Sequence, residues 1–179
     1  MAIKTYVLDN IADREQRHAL VTEKAREHFG NPEVEVIYGK RGKPSVKGID
    51  KKYVSVTTTG AVMVVVFSDK PVGIDGEYLG RLKNNEKIDY LAIAERFFTE
   101  EEAEYVRDND GDAVAFAKVW VRKEAYSKYT GKGLSDFANF SVSDGERLNT
   151  KVNGVAVKKF TVNFPGSNDY LFALAGSEN

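Results

Sequence analysis

The segment at residues 72–77 most constrains the fold, because it places two carboxylates side by side on a predicted strand. Its sequence is Val-Gly-Ile-Asp-Gly-Glu. Side chains alternate along a strand, so Val72 and Ile74 share one face while Asp75 and Glu77 share the other. Neighbouring like charges repel, and a strand seldom carries them without a cation or a basic partner. The alternative is a strand that ends in a turn with two solvated acids, and the segment alone favours that alternative.

A second acidic segment lies on a helix that the sequence predicts at residues 112–129. At about 100° per residue, the apolar stripe of this helix continues forward onto Glu124 and then Lys128. A buried carboxylate without a partner is costly, so this position predicts a partner for Glu124. The alternative is a surface i,i+4 ion pair worth roughly 0.2–0.5 kcal/mol, which does not explain why the pair extends the apolar stripe. The stripe consists of Ala113, Phe116, Ala117 and Trp120.

The remaining hydrophobic periodicity predicts strands and one helix first, then a run of helices, then strands again. This order indicates an α+β fold with antiparallel sheets. A basic, glycine-rich loop is predicted at residues 39–48, and Asn153-Gly154 predicts a hairpin turn. The predicted helices are 13–29, 88–98, 100–107 and 112–129, and the predicted strands are 3–8, 34–38, 54–59, 61–67, 72–77, 155–164, 170–175 and one near Phe140.

Composition excludes several classes of protein. The 179 residues suffice for one ordinary domain or two small lobes that share a core. The net charge of −1 gives no electrostatic basis for binding nucleic acid. The absence of cysteine excludes disulfides and thiol catalysis and fits a cytoplasmic protein. Residues 1–5 have no signal-peptide core, and the longest apolar run, 61–67, is far shorter than the roughly 20 residues that span a bilayer.

Taken together, the motifs resemble the signature of the 4′-phosphopantetheinyl transferase superfamily. Each motif is short, but their order and spacing over residues 41–134 are more specific than any one of them. The resemblance rests on Gly42-Lys43-Pro44, Gly73-Ile74-Asp75-x-Glu77, Arg96-Phe97-Phe98-Thr99 with Glu102, Trp120-x-x-Lys123-Glu124-Ala125-x-x-Lys128, and Gly131-Lys132-Gly133-Leu134.

The resemblance to the longer, Sfp-type members implies a particular architecture. Those members have two similar lobes, each an antiparallel sheet packed with helix, related by a pseudo-twofold axis with the site between them. For this chain the lobes would be residues 1–70 and 71–179, which together form one functional unit. The length favours a two-lobed monomer over the trimer of the short, holo-ACP-synthase type.

The resemblance also implies an enzymatic reaction. The 4′-phosphopantetheine group of coenzyme A would pass to a serine of an apo acyl or peptidyl carrier protein. Asp75, Glu77 and Glu124 would bind Mg²⁺, with Mn²⁺ as the other candidate, because such ions prefer oxygen ligands. Catalysis would depend on Asp75, on Glu124 as general base, and on Lys128, which would contact phosphate and stabilise developing charge.

Further residues are expected to bind coenzyme A. Lys43 and Pro44 would border the adenine and phosphates, and Arg41 lies in the same glycine-rich loop. The alternative for this loop is a solvated basic segment without a ligand. Asp75 and Lys128 would also contact the substrate.

The segment 57–60 departs from the family pattern. Thr58 stands where the family has a histidine that holds the 3′-phosphate of coenzyme A, and Ser55 replaces an asparagine. Thr58 and Thr59 can each donate a hydrogen bond to phosphate, but neither brings charge. The 3′-phosphate would then be bound by Arg41 or by a cation near Arg17 and His18 on the first helix. The equal alternative is that the threonines only reflect β-propensity.

Two other functions follow from the same residues. A non-catalytic coenzyme A- or carrier-binding protein of this fold would explain the altered residues Ser55 and Thr58. A magnesium-dependent hydrolase of a small phosphate ester would use the same carboxylates with water as acceptor. Release of adenosine 3′,5′-bisphosphate in the presence of an apo-carrier would distinguish phosphopantetheine transfer from both of these other functions. None of the three functions involves nucleic acid or a membrane.

Overall fold

A computed structural model of the chain describes residues 4–9, 13–39, 42–85 and 87–176. The strands are β1 Lys4–Asp9, β2 Glu35–Tyr38, β3 Pro44–Lys47, β4 Tyr53–Thr59, β5 Val62–Ser68, β6 Val72–Tyr78, β7 Lys151–Val152, β8 Val155–Phe160 and β9 Tyr170–Gly176. The α-helices are α1 Arg14–Phe29, α2 Leu79–Lys83, α3 Tyr90–Phe97, α4 Glu100–Asp108 and α5 Ala113–Thr130, with 3₁₀ helices at Leu134–Asn139 and Ser167–Asp169.

The strands form three antiparallel sheets, which confirms the predicted α+β class. The N-terminal sheet has the order β1-β5-β4, a hairpin joins β2 to β3, and the C-terminal sheet has the order β6-β9-β8-β7. Helix α1 packs beside the N-terminal sheet through Val21 and Ala25, both fully buried. Helix α5 packs against β6, β8 and β9. Within the part of the chain that is described, no helix is both long and apolar enough to cross a bilayer.

Most predicted elements are present, and their ends follow from capping. The Asp112 carboxylate accepts hydrogen bonds from two backbone N–H groups in the first turn of α5. Gly131 ends the helix in the left-handed region with φ 77°, which favours glycine. The hairpin turn at 153–154 is confirmed, with φ of 47° and 80° at its two residues.

Two predictions of local structure were wrong. Residues 44–47 form strand β3 instead of loop, because Val46 pairs with Val36 of β2 in an antiparallel register. No named strand forms near Phe140, since the preceding segment coils into a 3₁₀ helix and the Phe140 carbonyl accepts a hydrogen bond from Lys123. The short helix α2, directly after β6, was not predicted.

Helix α5 is buried over much more of its surface than the predicted narrow stripe. The reason is its position, since the C-terminal sheet and helices α2 to α4 all pack against it. A single-sided amphipathic pattern is therefore absent, and even Lys123 is fully buried. The buried residues are Ala113, Ala115, Phe116, Ala117, Val119, Val121, Lys123, Ala125, Tyr126 and Ser127.

Side-chain hydroxyls, rather than strand pairing, join β4 of the N-terminal sheet to β6 of the C-terminal sheet. Three alternate residues of β4, namely Ser55, Thr57 and Thr59, are buried and face β6. Their oxygens accept hydrogen bonds from the backbone N–H groups of residues 74, 76 and 78, at 3.0, 3.1 and 2.8 Å respectively. We call this set the hydroxyl ladder. The ladder provides acceptors for backbone N–H groups of β6 that would otherwise be buried without a hydrogen-bond partner.

Glycine at position 73 permits the close approach of β6 to α5. A Cβ atom at Gly73 would lie 2.0 Å from the Ala125 carbonyl oxygen and 2.5 Å from the Tyr129 nitrogen. Both contacts are with backbone, so a larger residue can fit only if the strand and helix separate. This approach brings the strand that carries Asp75 directly against the helix that carries Glu124.

We expect Gly73→Ala to lower the free energy of unfolding by roughly 1–3 kcal/mol, the usual cost of overpacking, or more. Urea denaturation followed by circular dichroism measures the effect. Gly39→Ala is the matched control, because the nearest atom to its added Cβ would lie at an ordinary 3.8 Å. Equal stability of the two variants would contradict the close packing of β6 on α5.

Candidate functional site

A cleft of about 470 Å³ opens between β4, the start of β3, the C-terminal half of α5 and the turn that follows it. Glu124 and Lys128 lie on one wall, and Lys43 and Pro44 lie on another. The Gly131–Leu134 segment also lines the cleft, and the Leu134 side chain is largely exposed. Three of the five sequence motifs thus line one cavity. Asp75 of a fourth motif is ion-paired with Lys128, which lines that cavity.

Asp75 on β6 is buried and forms an ion pair with Lys128, which lines the cleft. The Lys128 Nζ lies 2.7 Å from Asp75 Oδ1 and also donates to the Val56 carbonyl at 3.2 Å. The Thr57 hydroxyl donates to the same Asp75 oxygen at 3.2 Å. Residues from β4, β6 and α5 therefore fix this carboxylate.

Glu77, two residues further along β6, is paired with a different cation. The Arg81 guanidinium, on helix α2, donates to Glu77 Oε2 at 2.7 Å. Burial raises the pKa of Glu77, the Arg81 charge opposes that shift, and the Asp75 charge adds to it. Arg81 itself is well exposed, so it can move away without a burial cost.

Of the three predicted metal ligands, Glu124 is the one without a direct partner among the described residues. Within the described residues it makes no hydrogen bond or ion pair, although it is half-buried. Its pKa is raised to about 6, chiefly by burial; the Asp75 and Glu77 charges add to the increase, and the Lys128 charge opposes it. Residues 4–9, 13–39, 42–85 and 87–176 contain no group of three His, Cys, Asp or Glu side chains close enough to hold a metal ion.

The raised pKa of Glu124 predicts a pH-dependent stability. Between the ordinary value of 4.5 and about 6 the folded state binds more protons than the unfolded state, so stability falls as pH rises through this window. Glu124→Gln removes this penalty. We expect it to match the wild type near pH 4 and to melt higher above pH 6, by on the order of 2–4 °C for each 1 kcal/mol relieved.

Differential scanning calorimetry from pH 4 to pH 8 measures this difference. Glu101→Gln is the control, because its side chain is exposed on α4. A Glu124→Gln variant that melts below the wild type at pH 7.5 would contradict the assignment of Glu124 as a desolvated charge.

A fully buried ion pair holds α5 in position beside the cleft. Lys123 Nζ lies 2.7 Å from Glu102 Oε2 on α4, and it also donates to the Phe140 carbonyl at 2.8 Å. Glu102 in turn accepts hydrogen bonds from the backbone N–H groups of Thr99 and Val142, the first of which completes a capping box. Glu102 therefore both caps α4 and pairs α4 with α5.

A second, basic pocket of about 230 Å³ adjoins the cleft, with which it shares Pro44 and Val56. Arg14, Arg17 and His18 line it from α1, and the exposed Thr58 lines it from β4. Burial and the two arginine charges lower the pKa of His18, so at neutral pH the positive charge comes from the arginines. The His18 ring stacks on Tyr38, with centroids 3.6 Å apart.

The predicted site residues fall into three groups. Asp75, Glu77, Glu124 and Lys128 lie close enough to interact electrostatically. Thr58 and Thr59 face opposite ways, since Thr58 lines the basic pocket while Thr59 is buried in the hydroxyl ladder. The other predicted residues are Lys43 and Pro44, which line the cleft, and Arg41, which with Lys40 lies outside the described residues.

Arg14 and Thr57 were not predicted as site residues from the sequence. The i, i+3, i+4 spacing of Arg14, Arg17 and His18 places all three on one helical face, a signal that could have identified the basic pocket. The alternation of Ser55, Thr57 and Thr59 on a strand with buried neighbours could have identified the hydroxyl ladder.

Several known proteins are similar in sequence to this chain. The chain is 33% identical to 4′-phosphopantetheinyl transferase psf-1 of Bacillus pumilus over 120 residues, which is 65% of this chain and 48% of that protein. It is 31% identical to 4′-phosphopantetheinyl transferase Sfp of Bacillus subtilis (strain 168) over 96 residues, 52% of this chain and 40% of that protein. The matched regions thus span about half the length of these relatives.

The family profile described as the 4′-phosphopantetheinyl transferase superfamily matches residues 71–175, more than half of the chain. The match begins just before β6 and ends in β9, so it includes both acidic motifs and helix α5. With the carboxylates and Lys128 assembled as described, the chain belongs to the 4′-phosphopantetheinyl transferase superfamily.

Proposed function

We propose that this protein transfers the 4′-phosphopantetheine group of coenzyme A to a serine of an apo carrier protein. The observation that carries the proposal is the meeting of Glu124, Asp75 and Lys128 at a cleft whose other wall has Lys43. This arrangement suits a substrate with a pyrophosphate, because it combines cations for the phosphates with a carboxylate that can accept a proton.

The three carboxylates fit a divalent cation in their donor chemistry. All are oxygen donors, and Glu124 is desolvated, lacks a direct partner and feels the charge of Asp75 and Glu77. Such an excess of negative charge favours Mg²⁺ or Mn²⁺, which prefer carboxylate oxygens together with substrate phosphates. When bound by Asp75, Glu77 and Glu124, the ion would polarise the phosphoryl oxygens and stabilise the leaving group.

The chain's own residues account for the other requirements of the reaction. The carrier serine oxygen bonds to the β-phosphorus as the bond from phosphorus to the adenosine 3′,5′-bisphosphate oxygen breaks. Glu124, whose raised pKa suits a general base, accepts the serine proton directly or through a water. Lys128 is held at the site by Asp75 and Val56, and its ammonium stabilises the charge that develops on the phosphate.

The basic pocket is our candidate for the 3′-phosphate of coenzyme A. Arg14 and Arg17 supply two guanidinium groups, which suit a phosphate through charge-assisted hydrogen bonds. Thr58 can add a hydroxyl donor in place of the family's histidine. The shared border with the cleft at Pro44 lets one nucleotide reach both cavities.

We expect Arg14→Ala and Arg17→Ala each to raise KM for coenzyme A by about 10- to 100-fold, since such bonds contribute about 1.5–3 kcal/mol. KM for dephospho-coenzyme A, which lacks the 3′-phosphate, should change little. Lys24→Ala is the control, because this α1 cation pairs with Glu27 outside the pocket. Equal losses with both substrates would place the 3′-phosphate elsewhere.

The direct test incubates the protein with coenzyme A, Mg²⁺ and an apo-carrier. Mass spectrometry should show the carrier gaining one phosphopantetheine group, with an equal amount of adenosine 3′,5′-bisphosphate released. Nucleotide binding without either product, across fatty-acid, polyketide and nonribosomal-peptide carriers, would overturn transfer in favour of a binding protein. Phosphate release without a carrier would favour a hydrolase.

A further inference from the structure

The two carboxylates of β6 each have one oxygen that is fully engaged and one that is not. Asp75 Oδ1 accepts from both Lys128 and Thr57, while Asp75 Oδ2 accepts from none of the described residues. Glu77 Oε2 likewise accepts from Arg81 and, at a longer 3.5 Å, from Thr59, and no described residue donates to Oε1. An ionised carboxylate oxygen offers about two lone-pair positions, so two donors fill it.

The hydroxyl ladder explains why the threonines donate to these oxygens. A hydroxyl has one hydrogen and two acceptor positions. The oxygen of Thr57 accepts from the buried Gly76 N–H at 3.1 Å, so its single hydrogen is directed onward to Asp75 at 3.2 Å. Ser55 occupies the same ladder and accepts from the Ile74 N–H at 3.0 Å, but it donates to no carboxylate among the described residues.

We infer that Thr57 is a positioning residue that decides which oxygen of Asp75 remains available to a cation, and that Thr59 does the same, more weakly, for Glu77. The inference rests on the proposed function, because that function gives the carboxylates their cation. Thr57 holds one oxygen toward β4 and so leaves the other for the ion. Loss of this donor leaves Lys128 as the one described group that holds this oxygen, so the Asp75 carboxylate can rotate more freely about its Cβ–Cγ bond and the site weakens.

The test measures the binding of Mn²⁺ alone to the intact protein, from the electron paramagnetic resonance signal of the free ion. Residues that orient a metal ligand usually change metal affinity by roughly 10- to 100-fold, and we expect Thr57→Val to weaken Mn²⁺ binding by about that factor. Thr57→Ser keeps the hydroxyl and should bind Mn²⁺ within a few-fold of the wild type. Thr59→Val should cause a smaller loss than Thr57→Val, because its bond to Glu77 is longer.

Ser55→Ala is the matched control, since it removes one bond of the same ladder without touching a carboxylate. We expect it to keep the Mn²⁺ affinity of the wild type. If Thr57→Val is too unstable to assay, the smaller Thr57→Ala provides the same comparison. Unchanged Mn²⁺ affinity in the Thr57 variant, or an equal loss of Mn²⁺ affinity in Ser55→Ala, overturns the inference. The proposed function is unaffected by that result as long as the wild type still forms holo-carrier. A wild type that neither binds Mn²⁺ nor forms holo-carrier overturns both.

Discussion

Glu124→Gln should reduce kcat for phosphopantetheine transfer by on the order of 10²- to 10⁴-fold, the usual contribution of a general base. The glutamine amide is nearly isosteric with the carboxylate but can neither accept the serine proton nor supply negative charge. KM for coenzyme A should change much less, because in the proposed function the nucleotide is bound mainly by Lys43 and the residues of the basic pocket. Mass-spectrometric quantification of holo-carrier over time, at saturating coenzyme A, measures kcat.

Two further measurements make this result specific to catalysis. Glu101→Gln removes a carboxylate from the exposed face of α4 and should keep the wild-type rate. The thermal midpoint of Glu124→Gln should equal or exceed that of the wild type at neutral pH, so loss of folding cannot explain a loss of rate. Transfer at an unchanged rate would remove Glu124 from the reaction.

Lys123→Met should lower the free energy of unfolding by roughly 3–5 kcal/mol, the usual cost of removing one member of a buried ion pair. Both side chains of the pair are fully buried, so the Glu102 carboxylate would keep its charge without access to solvent or to its only cationic partner within the described residues. Its two backbone donors, from Thr99 and Val142, remain but do not neutralise it. Urea denaturation measures the loss.

The double variant Glu102→Gln/Lys123→Met tests the cause of that loss. Glutamine can still accept a backbone hydrogen bond but carries no charge, so most of the lost stability should return. Arg107→Met is the control for an exposed pair, because Arg107 bonds Glu95 in solvent, where such a contact contributes at most about 1 kcal/mol. A double variant as unstable as the single one would show that packing, not charge, dominates.

The sequence predicted most of the fold because its local signals agree with tertiary structure. The helix at 112–129 has a capping aspartate and a terminal glycine, and the strand at 72–77 has apolar residues at alternate positions 72 and 74, so both elements were identified. The strand at Pro44–Lys47 was not predicted, since its pairing with β2 is a tertiary contact between two short segments that have no strong periodicity.

The residues of the candidate site were likewise predictable where the signal lies within one element and not where it depends on tertiary contacts. Asp75, Glu77, Glu124 and Lys128 were predicted from spacing on single elements, and the structure adds their mutual geometry. Periodicity within α5 could not show that Lys123 is buried, because its partner lies on a different helix. The hydroxyl ladder was also missed, since it depends on two strand edges that are 19 residues apart in the chain.

The hydroxyl ladder also limits how this fold can be recombined. A grafted N-terminal segment would have to present small oxygen-bearing side chains at three alternate positions opposite Ile74, Gly76 and Tyr78. An all-aliphatic replacement would bury three amide protons without acceptors, each at a cost of about 1–3 kcal/mol. Chimeras made at the β5–β6 junction should therefore tolerate exchange only between parents that share serine or threonine at these positions.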